Sequence, residues 1–431
     1  MNEHSVNYFA NNNNPPTCSN YINDGRKEDS LMSGALIILL AILLLFALIT
    51  LDYIFGLIHH QKVVKLKKYK HHTSNLTLFT EGNCLFTDYF REIDQARHHI
   101  HVLFYIVKND DFSKSFLDLL KKKATEGVEV RLLVDWFGSR NLKKKSIKEL
   151  EETGVKFAYA ERPRFPFFFF HMQQRNHRKI TVIDGLVGYM GGFNVGKEYI
   201  SKKKKFGHWR DYHLKVTGPG VHDLQDTFIH DWEKNANDLV FRDINYFPEV
   251  AAGRVDHQLV PTDGVFLEKE FINMIADAKE EIIIGSPYFI PSKRVFQKLM
   301  EQVRKGVKVS VIVPKKSDHP LVKEASYPYL KKLLEQGGRV FEYGNGFYHA
   351  KVIVIDDVIC DVGTANFDKR SLYLNFEMNC YIFDGGFIRD IKRQLRYDFN
   401  KSKPLSVEDI KQLPFTTKIK VGIAQLLSHF L

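Results

Sequence analysis

"RNHRKITVIDGLVGYMGGFN", residues 175–194, sets a histidine, several cations, a carboxylate and an asparagine into a run otherwise written in Ile, Val, Leu, Met and Gly. Side chains alternate faces along a β-strand, so His177 and Lys179 point one way and Arg178 the other. Asp184-Gly185 favours a tight turn, after which "LVGYM" reads as the returning strand. That strand ends in "GGFN", where small residues admit a ligand close to the backbone and Asn194 offers an amide donor. The layout recurs in "YHAKVIVIDDVICDVGTAN", residues 348–366, with His349, Lys351, Asp356 and Asn366 at the same spacing. A lone His-x-Lys is surface decoration or a core histidine in most proteins. Intact duplication of the whole spacing argues for a shared task. Zinc explains it poorly, because each histidine has a lysine beside it and no H-x-x-x-H or C-x-x-C partner. Anion chemistry fits better. Asp184 and Asp356, at strand ends, are placed to organise the turns and brace the motif.

Around these blocks the chain reads as two versions of one α/β unit. In the first, "CLFTDYFREIDQAR" is a helix, "HIHVLFYIV" a strand, "SFLDLLKKKATEG" a helix and "VEVRLLVDW" a strand, and "IKELEETG" then leads through "VKFAYA" to the histidine strand. "EFINMIADAKE", "EIIIGSPYFI", "VFQKLMEQVRKG", "VKVSVIVP", "LKKLLEQG" and "RVFEYG" repeat that order before the second. Gly127 and Gly306 end corresponding helices. The expected domains are residues 76–250 and 251–431, an ordinary size for each within 431 residues of 44% hydrophobic content.

The net charge of +11 implies an acidic partner, either nucleic acid or an anionic membrane. The N-terminus favours the membrane. Residues 1–30 are polar, include "NNNNPP" and are expected to be disordered. Leu31–Leu51, "LMSGALIILLAILLLFALITL", carries no charge and is long enough to cross a bilayer, which takes about 20 apolar residues. A transmembrane helix is assigned to residues 31–58; it lacks the basic lead and the clean cleavage site of a signal peptide. Lys62, Lys65, Lys67, Lys68 and Lys70 follow in a polybasic linker, residues 59–75, against Arg26 and Lys27 before the span. The positive-inside rule then puts the body of a single-pass protein in the cytoplasm and its tail outside. Of the four cysteines, Cys84, Cys360 and Cys380 suit that reduced compartment, and nothing gives Cys18 a role.

The two blocks resemble the paired HKD motifs of the phospholipase D superfamily. More closely, "RPRFPFFFFHMQQRNHRKITVIDG", "FGHWRDYHLKVTGPGVHDLQ", "IGSPYFIPS", "KSDHPLV" and "GTANFDKRSLYLNFEMN" are similar to bacterial cardiolipin synthases of the shorter, minor type, over nearly everything from about Leu76 onward. The resemblance implies two α/β halves related by a pseudo-two-fold axis, sheet against sheet with helices outside and one site at the seam, on the bacterial cell membrane. It implies His177, Lys179, Asp184, His349, Lys351 and Asp356 as catalytic residues. Asn194, Thr364 and Asn366 bind phosphate, while Asp211 and Glu377, each opening a later alternating strand, orient the imidazoles. Gly192 departs from the family, many members of which carry Ser or Thr there as this chain does at Thr364.

The implied reaction moves a phosphatidyl group from one phosphatidylglycerol to another, giving cardiolipin and glycerol through a phosphohistidine. His177 attacks and His349 exchanges protons; no cofactor and no metal take part. Phosphatidylglycerol and anionic membrane lipids are the expected partners, nucleic acid is not, and oligomeric state is not legible. "RPRFPFFFF", Arg162 to Phe170, and the C-terminal "TKIKVGIAQLLSHFL" are candidates for lipid contact, with core packing the alternative for the phenylalanines. Lys121–Lys123, Lys143–Lys145 and Lys202–Lys205 are either solvated faces or headgroup contacts. Hydrolysis by a phospholipase D, a membrane-anchored nuclease of the same chemistry and a non-catalytic scaffold remain as other readings.

Overall fold

The computed structural model of the chain describes residues 19–240 and 244–428, with side chains from Gly34 onward. A long helix, α1 (Ser19–Val63), comes first, its apolar side chains exposed from Leu36 to Ile58. Residues 19–30, expected to be disordered, are helical: once a helix is nucleated by the apolar stretch, adding residues at its end costs little. Residues 1–18 lie outside the described residues. The linker is shorter than expected, because α1 runs to Val63 and the first strand starts at His72.

The first half comprises β1 (His72–Glu81), α2 (Gly82–Gln95), β2 (His99–Phe104), α3 (Asp111–Thr125), β3 (Glu129–Asp135), α4 (Lys144–Glu152) and β4 (Lys156–Ala160). It continues with α5 (Phe168–Gln173), β5 (Arg175–Asn176), β6 (Ile180–Ile183), β7 (Val187–Gly191), β8 (Trp209–Thr217) and α6 (Gly220–Ala236). The second half opens with β9 (Val255–Asp263), α7 (Leu267–Ala276), β10 (Glu281–Gly285), β11 (Phe289–Ile290), α8 (Lys293–Arg304), β12 (Lys308–Pro314), α9 (Val322–Glu335) and β13 (Arg339–Tyr343). Then come β14 (Phe347–Tyr348), β15 (Val352–Ile355), β16 (Ile359–Gly363), β17 (Phe367–Asp368), α10 (Lys369–Tyr373), β18 (Asn375–Ile382), α11 (Gly385–Asn400), β19 (Ser402–Leu405), α12 (Val407–Lys411) and α13 (Phe415–Leu426).

The halves are built alike. The first sheet runs β4-β3-β2-β6-β7-β8-β1, parallel at β2–β3–β4 and antiparallel elsewhere. The second runs β13-β12-β10-β15-β16-β18-β9 with the same parallel and antiparallel pattern, extended by β19. Parallel strands need crossover helices, which α3 and α8 provide; Asp110 and Ser292 cap their N-termini by accepting from Ser113 and Val295.

Strands covered on both faces lose the polar half of their alternation, which is why "HVLF" and "IIIG" read as continuous apolar runs. Ile100, Val102 and Phe104 face the layer formed by α2, α3 and α4, whereas Leu103 faces the middle of the molecule. That central core joins both sheets and also contains Phe228 and Trp232 of α6 and Ile391 and Leu395 of α11. Each sheet is thus covered by helices on both faces: α6 and α11 cover the faces opposite to α2–α4 and α7–α9, and their buried apolar side chains join the core that links the two sheets. Their apolar faces are too wide to leave in water, and the twisted sheets leave room for them.

The halves are joined along one edge by β1 against β9, antiparallel from His72 opposite His257 to Ser74 opposite Val255, and two very short pairings stitch them together at the seam. β5 runs parallel to β18, with Arg175 opposite Asn375 and Asn176 opposite Phe376. β14 runs parallel to β8, with Phe347 opposite Trp209 and Tyr348 opposite Arg210.

Candidate active site

Those two registers decide the site. One residue past each pairing, His177 comes beside Glu377 and His349 beside Asp211, so each imidazole meets the carboxylate of the other half. His177 Nδ1 lies 2.9 Å from Glu377 Oε2, and His349 Nδ1 2.5 Å from Asp211 Oδ2. Residues 177–179 and 349–351 fall between short strands instead of within one continuous strand, yet the alternation holds. Arg178 turns to the opposite side, where Asp231 at 2.6 Å and Asp263 pair its buried guanidinium.

With Nδ1 held by a carboxylate, each imidazole presents Nε2 to the seam. Tyr105, just past the end of β2, packs edge-on against His177 at 4.9 Å between ring centres, and Trp209 lies 5.0 Å from His349. Both imidazoles are 7% exposed, and both lysines are buried. Lys179 Nζ donates to the His177 carbonyl at 2.7 Å and lies 5.3 Å from the Tyr105 ring centre, while Lys351 Nζ donates to the carbonyl of His349.

Burial in so dry a seam governs the charges. It pulls His177 down to about 4, the negative charge of Glu377 offsetting part of the drop. His349 is also lowered, by burial and by Lys351, against the pull of Asp211. Lys179 falls to about 7 and Lys351 to about 8 through burial, opposed chiefly by Glu377 and Asp211 respectively. Burial alone would raise Glu377, but the charge and hydrogen bond of His177, the charge of Lys179 and the Thr364 hydroxyl hold it at about 2. The site thus combines ionised carboxylates, neutral imidazoles at pH 7 and ammonium groups that a bound anion would hold protonated.

Not every expected residue meets this seam. Asp184 and Asp356, grouped with the catalytic residues by the family resemblance and read from their strand-end positions as braces, sit at the far ends of β6 and β15, about four residues of strand beyond the lysines. Asp184 accepts from the backbone N–H groups of Arg97, His98 and His99, and Asp356 from those of Lys279, Glu280 and Glu281. Each carboxylate pins the start of the central parallel strand to the hairpin that carries the motif. Asp184 and Gly185 both take positive φ, as a type I′ turn requires.

Thr364 is reassigned: its hydroxyl donates to Glu377 Oε2 at 2.5 Å, so it acts on the carboxylate. Gly192, the corresponding position, has no room for a side chain, since a Cβ there would overlap the Asp211 carboxylate. The missing hydroxyl follows from the shorter acid, which lies directly over the backbone. Asn194 spends its amide oxygen on the Ile106 N–H at 3.0 Å, and Asn366 is buried with its side-chain oxygen unpartnered among the described residues. Ser371, which donates to Glu377 Oε1 at 2.9 Å, was missed by sequence reasoning, as were Tyr105 and Trp209. The signal for Tyr105 was its place at the carboxyl end of a parallel strand, where α/β sheets gather their ligands.

The family model for the PLD-like domain of cardiolipin synthase matches residues 89–232 and 271–401, once in each half. The minor cardiolipin synthase ClsB of Bacillus subtilis is 42% identical over 400 residues, covering 93% of this chain and all of that protein. The chain belongs to the cardiolipin synthase family. Cardiolipin synthase 2 of Staphylococcus epidermidis is 42% identical over 364 residues, 83% of this chain and 75% of its own length. In fold, this cardiolipin synthase family member is similar to the crystal structure of phosphatidylserine synthase from Haemophilus influenzae Rd KW20, with a TM-score of 0.68 at 15% identity over 87% of this chain and 99% of that one.

The regions considered for lipid contact divide. Phe170 is buried and Phe165 is 85% exposed, so the aromatic block is part core and part surface. The Asp52 carboxylate of α1 accepts from the backbone N–H groups of Phe169 and Phe170, docking α5 against α1. The C-terminal segment forms α13 despite Val421 and Gly422, burying Ala424 and leaving Phe415, Ile419, Ile423 and Leu426 exposed. Lys121, Lys122 and Lys123 pair with Asp118, Asp94 and Glu126.

Proposed function

We propose that the chain transfers a phosphatidyl group between two phosphatidylglycerol molecules by way of a phosphohistidine on His177. Family membership makes it a phosphatidyltransferase acting on phospholipids. The observation that carries the residue assignments is the crossed pairing of His177 with Glu377 and of His349 with Asp211, one oriented base from each half.

The donor phosphodiester is an anion, and its charge must be met before a nucleophile approaches phosphorus. Lys179 and Lys351 supply that charge, and the side-chain amides of Asn194 and Asn366 assist. Nε2 of His177 attacks phosphorus. The bond from phosphorus to the glycerol oxygen breaks, and His349, which takes up a proton as the phosphodiester anion binds beside it, gives that proton to the departing alkoxide. His349, now neutral, takes a proton from the hydroxyl of the second phosphatidylglycerol, whose oxygen attacks phosphorus and breaks the P–N bond. Cardiolipin leaves and His177 is restored. The near-complete cover over both imidazoles favours an alcohol acceptor over bulk water.

The exposed apolar length of α1 supports a membrane anchor, and the lysines behind it support a cytoplasmic body. Protease added outside intact cells is then expected to cut only before Leu31; digestion of the body from that side contradicts the orientation. For the reaction, labelled phosphatidylglycerol incubated with purified protein is expected to yield cardiolipin and glycerol in equal amounts. Phosphatidic acid as the main product would make the protein a hydrolase.

A further inference from the structure

A cavity of about 630 Å³ opens at the base of α1, where the chain leaves the helix for β1. Lys65 of the linker, Arg164 ahead of α5 and Lys234 of α6 give it a cationic lining, with His230 of α6 beside them. Val63, Leu66, Phe266 and Phe376 supply apolar wall.

The cations are not all neutralised. Lys234 donates to Glu161 at 2.8 Å, and Lys67 is matched by Asp226. Asp263, the carboxylate on the wall, is taken by Arg178. Lys65 and Arg164 make no ion pair among the described residues, which leaves the cavity positive.

Its depth matters as much as its charge. From Leu36 to Leu51, short of Asp52 where α1 docks on α5, the apolar side chains of α1 face mostly outward, and at about 1.5 Å per residue that stretch is about 23 Å long, most of the hydrocarbon thickness of a bilayer. The cavity begins at His60, about 12 Å further along α1, on the headgroup side of that stretch. It is also separate from the seam. Arg178 and Phe376 form its inner wall with their backs to the imidazoles, and the Phe376 carbonyl accepts the His177 backbone N–H at 2.9 Å.

We propose that this cavity holds the headgroup of an anionic phospholipid that is not being turned over. Its phosphate lies between Arg164 and Lys65, its glycerol lies against Leu66 and Phe266, and its acyl chains run up the exposed face of α1. Arg164 offers a planar fork for phosphate oxygens and Lys65 a point charge. The inference rests on α1 being a membrane anchor and is independent of the roles assigned to the catalytic residues. Inorganic phosphate shares the cationic chemistry but gains nothing from the apolar wall.

The test is native mass spectrometry of the full-length chain in maltoside micelles containing phosphatidylglycerol, with His177→Ala in every sample to stop consumption of lipid. Arg164→Glu with Lys65→Glu is expected to retain one phosphatidylglycerol fewer per chain than the parent, and Arg164→Lys with Lys65→Arg to retain the parental number. Equal retention by the Glu variant overturns the proposal, as does displacement of the lipid by millimolar inorganic phosphate. Both side chains are exposed, so folding survives charge reversal, and an unchanged melting curve checks this. Residual cardiolipin formation in the His177→Ala parent would count against the catalytic assignment and leave the comparison of retained lipid intact.

Discussion

His177 and His349 look interchangeable in the sequence, yet their surroundings differ. Glu377 carries four side-chain donors, from His177, Thr364, Ser371 and Asn375, whereas Asp211 is approached by His349 and by the backbone N–H of Tyr212. Because the pairs cross between halves, Glu377→Gln is expected to slow phosphohistidine formation by about 10²-fold or more, the usual scale for losing oriented acid–base chemistry. Asp211→Asn should slow both the formation of the adduct, through the proton given to the leaving glycerol, and its resolution, so that what forms persists. Rapid-quench sampling separates the phases; an Asp211→Asn variant that resolves its adduct at the parental rate would contradict the crossed assignment. The pH dependence has a definite sign. His177 ordinarily titrates near 6.5 and is held at about 4 in the fold, so the unfolded chain takes up the proton first as pH falls. Its contribution to stability is complete above about 6.5 and is lost between there and about 4. Single-turnover adduct formation is expected to show no loss as the pH falls from 7 to about 5.5, since the His177 imidazole remains neutral in the native state; a drop centred near 6.5 would show an ordinary histidine.

At the scale of elements, the hairpins that carry the motifs were legible because alternation and an Asp-Gly turn are local signals. The crossing was not. β5 and β14 are two residues long, too short to show any period, and their partners lie some 140 to 200 residues away in sequence. Register between such distant pieces is set by the packing of the whole. Gly192 shows the same limit: it reads as a lost hydroxyl until Asp211 is found over its backbone. Gly192→Ala is accordingly expected to push the Asp211 carboxylate off His349 and cut turnover by about 10²-fold, with Thr364→Val costing about tenfold through loss of one hydrogen bond to Glu377. Steady-state rates beside thermal melts check this, and a fully active Gly192→Ala would refute the packing argument. In the aromatic block, Phe170→Ser should destabilise the docking of α5 on α1, by about 3 kcal/mol on the scale of core truncations. Phe165→Ser should leave the melt unchanged and lower only the rate on vesicles relative to micelles. Parallel losses in the two variants would put Phe165 in the core function as well.

For the whole molecule, the sequence displayed two copies of one α/β unit and an apolar span, and both are present. What it could not display was that α6 and α11 add their apolar faces to the core shared by both sheets, because an amphipathic helix does not announce which face of a sheet it will cover. The consequence for function is that neither half holds a complete site. Each brings a histidine and a lysine, and each orients the imidazole of the other, so the reaction depends on the seam as a unit. The measurement that bears most directly on this is peptide mapping of the protein after reaction with phosphatidylglycerol carrying labelled phosphate, with His349→Ala present to stall resolution. The account predicts stoichiometric label on His177, acid-labile and base-stable, and no label when Glu377→Gln is added. Label recovered on any other residue, or an unlabelled protein that still makes cardiolipin, would contradict it.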